Sequence, residues 1–235
     1  MSNNDIYEKE LAFQADRRRA AVELIRIISD LWYDYTIELI LFRNILIDRN
    51  VSEILHLHEY AGEFVQKPIS IFDSVRIAQA INAIELPPSK LDIGKLTYEY
   101  HLEDNSNSSA AKFVSNKLKD ASKNGTIEPK DVVLYGFGRI GRLVARELMT
   151  KIGQGSQLRL RAIVTRGEIN QSVLEKRASL LRNDSVHGDF AGTVNADFKN
   201  SALIINGTTV NVISANNPED IDYSVFGIKD ALVID

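Results

Sequence analysis

"DVVLYGFGRIGRL", residues 131–143, decides how the second half of this chain is read. "DVVLY" is a short β-branched run of the kind that forms a buried strand, and "RIGRLVARELMTKIG" (139–153) has the period of a helix. Between them Gly136, Gly138 and Gly141 are spaced G-x-G-x-x-G. In a strand–turn–helix setting each glycine has its own task. Gly136 permits the tight turn out of the strand, Gly138 lets a pyrophosphate approach the backbone, and Gly141 lets the helix pack closely on the sheet. The phosphates would meet free N–H groups at the helix start, those of Arg139 and Ile140, and the positive end of its dipole. A glycine-rich turn that only packs a helix is the plainer alternative. Strand, motif, helix and second strand in that order argue against it.

The second strand is "LRLRAIVTRG" (158–167). Its end carries the residue that reads the adenosine ribose. An acid there bonds the 2′-hydroxyl of NAD, whereas an arginine accommodates the 2′-phosphate of NADP. Here Thr165 and Arg166 occupy the acid's place, so a preference for NADP, or tolerance of both coenzymes, is expected. Glu168 lies a little farther on and serves NAD if the loop folds back. A solvated loop cation is the plainer reading of Arg166.

Farther along, "NQSVLEKRASLLRND" (170–184) is helical, and 193–216 holds two or three strands with Asn206-Gly207 as a hairpin turn. "KDALVID" (229–235) is an apolar strand. This alternation predicts a parallel sheet with right-handed crossovers.

Upstream of residue 130 the chain reads as helices. In "YEKELAFQADRRRAAVELIRIISDLW", Leu11, Ala15, Val22, Ile25 and Ile28 recur at helical spacing. "IELILFRNILI" (37–47) reads as a buried helix interrupted by Arg43 and Asn44. Helices follow at 51–66 and 70–86, the latter stopped by Pro87 and Pro88. Residues 89–109 look irregular, with "EDNSNSS" (103–109) as a polar patch. The last helix is 108–125, capped by Ser108 or Ser109 and ended by Asn124-Gly125. Trp32, Tyr33 and Tyr35 are expected to pack between helices. The fold class is therefore α/β: an α-helical N-terminal extension (1–129), then a partial Rossmann-type NAD(P)-binding domain (130–235).

Composition narrows the function classes. Of the 235 residues 44% are hydrophobic, enough for a core, and the net charge of −4 gives no global pull toward nucleic acid or acidic membrane. No apolar run approaches the roughly 20 residues that span a bilayer. The polar, acidic start "MSNNDIYEKE" is unlike a signal or transit peptide, so a cytoplasmic location is the default. The three-arginine run of "DRRRAA" (16–21), balanced by Asp16 and Glu23, reads as a solvated helix face. His56 and His58 lie two apart, a spacing that does not share a helix face, so they are not read as a metal pair. There is no cysteine, which excludes disulfides, thiolate metal sites and thiol nucleophiles within these residues.

Three landmarks in the right order carry a family resemblance. "GFGRIGRLVARE" (136–147) resembles the opening of phosphorylating glyceraldehyde-3-phosphate dehydrogenases, which typically read NGFGRIGR. "LLRNDSVHGDFAGTV" (180–194) resembles that family's D-S-x-H-G-x-F-x-G run. "TTVNVISANNPEDIDYSVFGIKDALVID" (208–235) resembles the strand, loop and strand that follow. The resemblance covers about 130–235. Residues 1–129 resemble the N-terminal extension of a longer bacterial branch of the family.

By position, the resemblance implies that Phe137, Arg139 and Ile140 line the pyrophosphate. Thr165 stands where the family usually has a ribose-binding Asp, Asn216 where a residue beside the adenine is usually Arg, and Tyr135 where Asn usually precedes the first glycine. These departures leave the phosphate grip intact and weaken the case for strict NAD specificity. Asp184, Ser185 and His187 of "DSVHG" are too close in sequence for a triad and read as a structural turn.

The family's reaction oxidises glyceraldehyde 3-phosphate to 1,3-bisphosphoglycerate in glycolysis or gluconeogenesis. A cysteine thiolate attacks the aldehyde, hydride passes to the nicotinamide, and phosphate resolves the thioester, with a histidine activating the thiol. In family sequences both groups come after the point reached by "KDALVID". These residues are thus expected to hold the coenzyme and to be inactive alone. No catalytic or metal-ligating residue is assigned. The last strand is expected to be an open sheet edge unless a partner covers it. A truncated or incomplete polypeptide of a homo-oligomeric enzyme is the expectation. A non-catalytic nucleotide-binding or regulatory protein is the alternative.

Overall fold

The computed structural model describes residues 3–103, 109–121, 128–152 and 157–235. Its chain divides into two compact units, Met1–Ile127 and Glu128–Asp235. The expected cap at Ser108 and the stop at Asn124-Gly125 lie outside the described residues, as does most of "EDNSNSS".

The first unit opens with the long helix α1 (Asn3–Tyr35) and continues with β1 (Ile37–Leu41), β2 (Asn44–Ile45), α2 (Val51–Val65) and α3 (Ile71–Asn82). It closes with β3 (Ser89–Asp92), α4 (Ile93–Leu102) and α5 (Ala110–Lys117). Its core gathers Leu24, Ile27 and Leu31 of α1, Ile54 of α2, Ile77 and Ile81 of α3, and Phe113 of α5. Asn50 caps α2 through a reciprocal capping box with Glu53, and Ser109 caps α5.

The all-helical expectation for this unit is corrected in two places. Residues 37–47 form strands, not a buried helix: Thr36 takes φ 54° and ends α1, and Phe42 and Arg43 take positive φ to turn β1 into β2. Ile37, Leu39 and Leu41 alternate inward, and β1 pairs in parallel with β3. A short apolar run fits strand and helix equally by periodicity. Pairing with a segment some 50 residues away decides it. The stretch expected to be irregular supplies that partner, β3, followed by α4, whose start Asp92 caps by accepting from the N–H of Lys95.

The inward face of α1 also differs. Ala21, Leu24, Ile27, Ile28 and Leu31 are buried, whereas Leu11 and Val22 are about half exposed at 48% and 57%. Trp32 is buried, but Tyr33 and Tyr35 point to solvent. Arg17 pairs with Glu59 and Arg19 with Asp16 on the outer surface.

The second unit runs β4 (Lys130–Tyr135), α6 (Arg139–Thr150), β5 (Leu158–Thr165), α7 (Gln171–Arg182), β6 (Asn183–Asp184) and β7 (Gly188–Asp189). Then come β8 (Val194–Asp197), β9 (Ala202–Ile205), β10 (Thr208–Ser214), two 3-10 turns and β11 (Leu232–Ile234). Six strands make one sheet in the order β11-β4-β5-β10-β9-β8. The β11–β4, β4–β5 and β5–β10 pairs are parallel, and the β10–β9 and β9–β8 pairs antiparallel. Asn206 (φ 49°) and Gly207 (φ 81°) make the hairpin turn between β9 and β10.

Strand alternation feeds a core on each face of this sheet. Val132, Leu134, Leu160 and Ile163 pack with Ala145 and Met149 of α6 and Leu174 of α7. Val133, Ala162 and Val164 pack on the other face with Ile213 and Ile228. Both faces are covered, which is why the parallel strands read as unbroken apolar runs. This is a Rossmann-type arrangement: successive strands step from β4 to β5 to β10, then cross back to place β11 on the far side of β4. That reversal opens a crevice at the carboxyl ends of the strands. No helix among the described residues is long and apolar enough to cross a membrane.

Candidate coenzyme site

The loop between β4 and α6 is built by its glycines. Gly136 has φ +93°, a conformation that side-chain-bearing residues rarely adopt, and its N–H donates to the carbonyl of Val164 at 2.8 Å. Gly138 is the N-cap of α6 and carries no side-chain cap, so the helix's first N–H groups have no side-chain acceptor there. A Cβ at Gly136 or Gly138 would meet nothing within 4 Å, so open space lies above the loop. At Gly141 a Cβ would lie 2.5 Å from the Gly136 carbonyl oxygen, so the helix can come this close only without a side chain.

The four parallel strands end together. Tyr135 closes β4, Thr165 closes β5, and Ser214 closes β10 just before Asn216. Ala215 N–H donates to the Thr165 carbonyl at 3.2 Å, and the Ser214 hydroxyl donates to the Gly167 carbonyl at 2.7 Å. The structure thus gathers Tyr135, Thr165, Arg166 and Asn216 at one end of the sheet. The Tyr135 hydroxyl donates to the main-chain oxygen of Asn216, and Arg166 Nε donates to that hydroxyl at 3.3 Å. The guanidinium lies over the tyrosine ring, 5.9 Å from its centroid. Thr165 is buried, and its Oγ1 has no hydrogen-bond partner among the described residues. The hydrogen bond that Arg166 donates to Tyr135 raises the Arg166 pKa, so the side chain stays cationic.

Phe137, expected beside the pyrophosphate, turns its ring into the core, so its main chain alone faces the loop. Arg139 is exposed at the helix start, and Ile140 is 71% exposed. The residues that sequence reasoning passed over are the two further arginines of α6. Arg142 reaches the Phe137 carbonyl at 3.4 Å and Asp184 at 3.5 Å. Arg146 is buried and donates to the carbonyls of Leu181, Arg182 and Gly188. Their i, i+4 spacing in "GRLVAR" was the available signal, since it sets both on one helix face.

What they grip is the "DSVHG" segment. Asp184 Oδ1 accepts the N–H groups of Val186 and His187 and the Nδ1 of His187 at 3.0–3.1 Å. These bonds, the Val186 N–H foremost, hold its carboxyl far below the usual carboxylate range. The run is a turn clamped by α6.

Comparison with known proteins agrees with this geometry. Residues 130–235 match the family model described as glyceraldehyde 3-phosphate dehydrogenase, NAD binding domain. This stretch is thus similar to the coenzyme-binding domain of that family. The chain is 43% identical over 195 residues to a glyceraldehyde-3-phosphate dehydrogenase-like protein of Pseudomonas aeruginosa, covering 81% of this chain and 42% of that protein. That span is more than the matched domain can supply, so the likeness extends into the first unit. A glyceraldehyde-3-phosphate dehydrogenase of Zymomonas mobilis is 31% identical over 97 residues, 41% of this chain and 26% of its own length. A chloroplastic glyceraldehyde-3-phosphate dehydrogenase of Arabidopsis thaliana is 32% identical over 116 residues, 48% and 24%. The chain therefore spans between about a quarter and two fifths of these relatives. The glycine loop, the arginine clamp and the Tyr135 cluster all lie within the stretch similar to that NAD-binding domain.

Proposed function

We propose that this chain is the coenzyme-holding part of a phosphorylating glyceraldehyde-3-phosphate dehydrogenase that uses NAD or NADP. The observation that carries the reading is the glycine cradle: open space over Gly136 and Gly138, with Gly141 pressed against Gly136. An adenine dinucleotide fits the residues present. The N–H groups of Arg139 and Ile140 and the exposed Arg139 side chain face a pyrophosphate. Thr165, Arg166 and Asn216 face the adenosine end, where the unpartnered Thr165 Oγ1 awaits an acceptor or donor. When bound, the nicotinamide accepts hydride from the substrate carbon. These residues bind and orient the coenzyme. Acyl transfer needs a thiolate, and the 235 residues contain no cysteine, so they are inactive alone.

Arg166 in the ribose position favours the 2′-phosphate of NADP. Coenzyme titration of Arg166→Ala tests this: a selective loss of NADP affinity is expected, and equal or no loss for both coenzymes would overturn it. The division into residues 1–129 and 130–235, a cytoplasmic setting, and a role for the first part in oligomer or regulatory contacts belong to the same reading. Exposed Ile6, Tyr7, Leu11 and Phe13 on α1 are the apolar surface available for such contacts.

The absence of cysteine favours one second reading, a nucleotide-binding or regulatory protein without catalysis. Calorimetry with NAD followed by an assay with glyceraldehyde 3-phosphate and phosphate addresses both. Binding without turnover is expected from the chain, and turnover restored by a cysteine-bearing partner polypeptide selects the enzyme reading. Failure to bind either coenzyme would sink both.

A further inference from the structure

Tyr135 stands where a shorter asparagine is usual in the resembled family, and its contacts give it a task. A tyrosine hydroxyl has one proton, and here it goes to the main-chain oxygen of Asn216. The oxygen's lone pair is then left for the Arg166 Nε–H, 3.3 Å away. The ring meanwhile lies under the guanidinium. A long side chain on an exposed loop would otherwise sample many rotamers and lose that freedom on binding. With Nε engaged, both terminal amino groups remain, and they make no hydrogen bond among the described residues. That leaves the end-on, two-nitrogen edge that grips a phosphate bidentately.

We propose that Tyr135 is the positioning residue for 2′-phosphate recognition. It holds Arg166 by its hydroxyl and ring so that the guanidinium meets the 2′-phosphate of an adenosine nucleotide end-on. The proposal rests on the NADP reading of Arg166. It adds that selectivity is built by the residue before the first glycine, through Asn216, and not by the loop arginine alone. An asparagine at 135 has neither the reach nor the ring to do this.

The test is calorimetric titration of the 235-residue chain with NADP, NAD and adenosine 2′,5′-bisphosphate. Tyr135→Phe keeps the ring and removes the hydroxyl. It is expected to weaken NADP and the bisphosphate by about tenfold while leaving NAD within about twofold. The unchanged NAD affinity also shows that the variant is folded. Adding Tyr135→Phe to Arg166→Ala is expected to cost nothing further, because the tyrosine acts through the arginine. Equal weakening of NAD and NADP by Tyr135→Phe would overturn the proposal, since a merely structural tyrosine behaves that way. If Arg166→Ala loses NADP selectively and Tyr135→Phe does not, the positioning role falls and the 2′-phosphate reading stands. If Arg166→Ala spares NADP, the 2′-phosphate reading falls and takes the positioning role with it.

Discussion

Gly141 sits so close beneath Gly136 that a Cβ on it would come within 2.5 Å of the Gly136 carbonyl oxygen. The contact fixes where the start of α6 lies relative to the turn that leaves β4, and hence where its free N–H groups point. A methyl group has no flexible neighbour to displace, because the obstacle is main chain. Gly141→Ala is therefore expected to destabilise the second unit by about 1–3 kcal/mol and to weaken NAD binding. Gly138→Ala has open space and an ordinary φ of −71°, so its stability cost should stay below about 1 kcal/mol. Its NAD affinity should nonetheless fall at least tenfold, because the methyl occupies the space over the loop. Urea unfolding and calorimetry on the two variants separate these effects. Equal stability losses would contradict the contact.

Arg146 gives a second prediction. It is 9% exposed and feeds three carbonyls at the end of α7 and in the following turn. Arg146→Met leaves those acceptors without their donor and should cost about 2–4 kcal/mol in the second unit. Arg146→Lys should recover little, because one ammonium cannot reproduce the planar fork. Hydrogen exchange of the α7 amides is the local readout, and protection equal to that of the unaltered chain in Arg146→Met would refute the clamp.

Acid sensitivity follows from Asp184. Its folded-state pKa lies far below the roughly 3.9 of an unfolded aspartate. A depressed carboxylate pKa contributes stability that is present above the unfolded value and is lost as pH falls from about 4 toward the folded one. Thermal midpoints of the second unit should fall over that range, and Asp184→Asn should start lower and depend less on pH there. An identical pH slope in the two proteins would rule out this source.

His58 predicts a different window for the first unit. It is buried, with Nδ1 2.7 Å from the Ile54 carbonyl and Nε2 3.0 Å from the Ser74 hydroxyl. The carbonyl can only accept, so Nδ1 carries the proton and the neutral ring accepts from Ser74 at Nε2. Burial lowers its pKa below the unfolded value of about 6.5. The unfolded chain then binds the extra proton first, so the first unit should lose stability as pH drops below about 6.5, by at most roughly 1.4 kcal/mol per pH unit. Trp32 is the single tryptophan and is buried in this unit, so its fluorescence reports the transition. His58→Gln should flatten the pH dependence between 6.5 and 5, and an unchanged slope would clear His58.

The glycine motif, the flanking strands and the Asn206-Gly207 hairpin were legible because each is a local code. Spacing, φ preference and strand alternation act within a few residues, and Gly136 and Gly207 take the positive φ that such codes demand. The residues at the end of β5 were equally legible, since Thr165 closes the strand and Arg166 follows it directly.

The first unit was harder, and residues 37–41 show why. Ile-Glu-Leu-Ile-Leu satisfies a helix or a strand, and only β3, brought alongside from residues 89–92, settles it. Likewise α1 repeats its apolar residues over many turns, but the face that counts is the one meeting α3. Leu11 and Val22 are apolar and still exposed.

By itself the sequence determined the glycine loop, the parallel strands around it and the lack of any thiol among these residues. Those follow from backbone sterics, strand period and composition. Only the tertiary structure decided that Tyr135, Arg166 and Asn216 form one linked cluster, that Arg142 and Arg146 clamp the "DSVHG" turn, and that the first unit contains a sheet. Each depends on contacts between residues far apart in the chain, whose free energy no local pattern encodes.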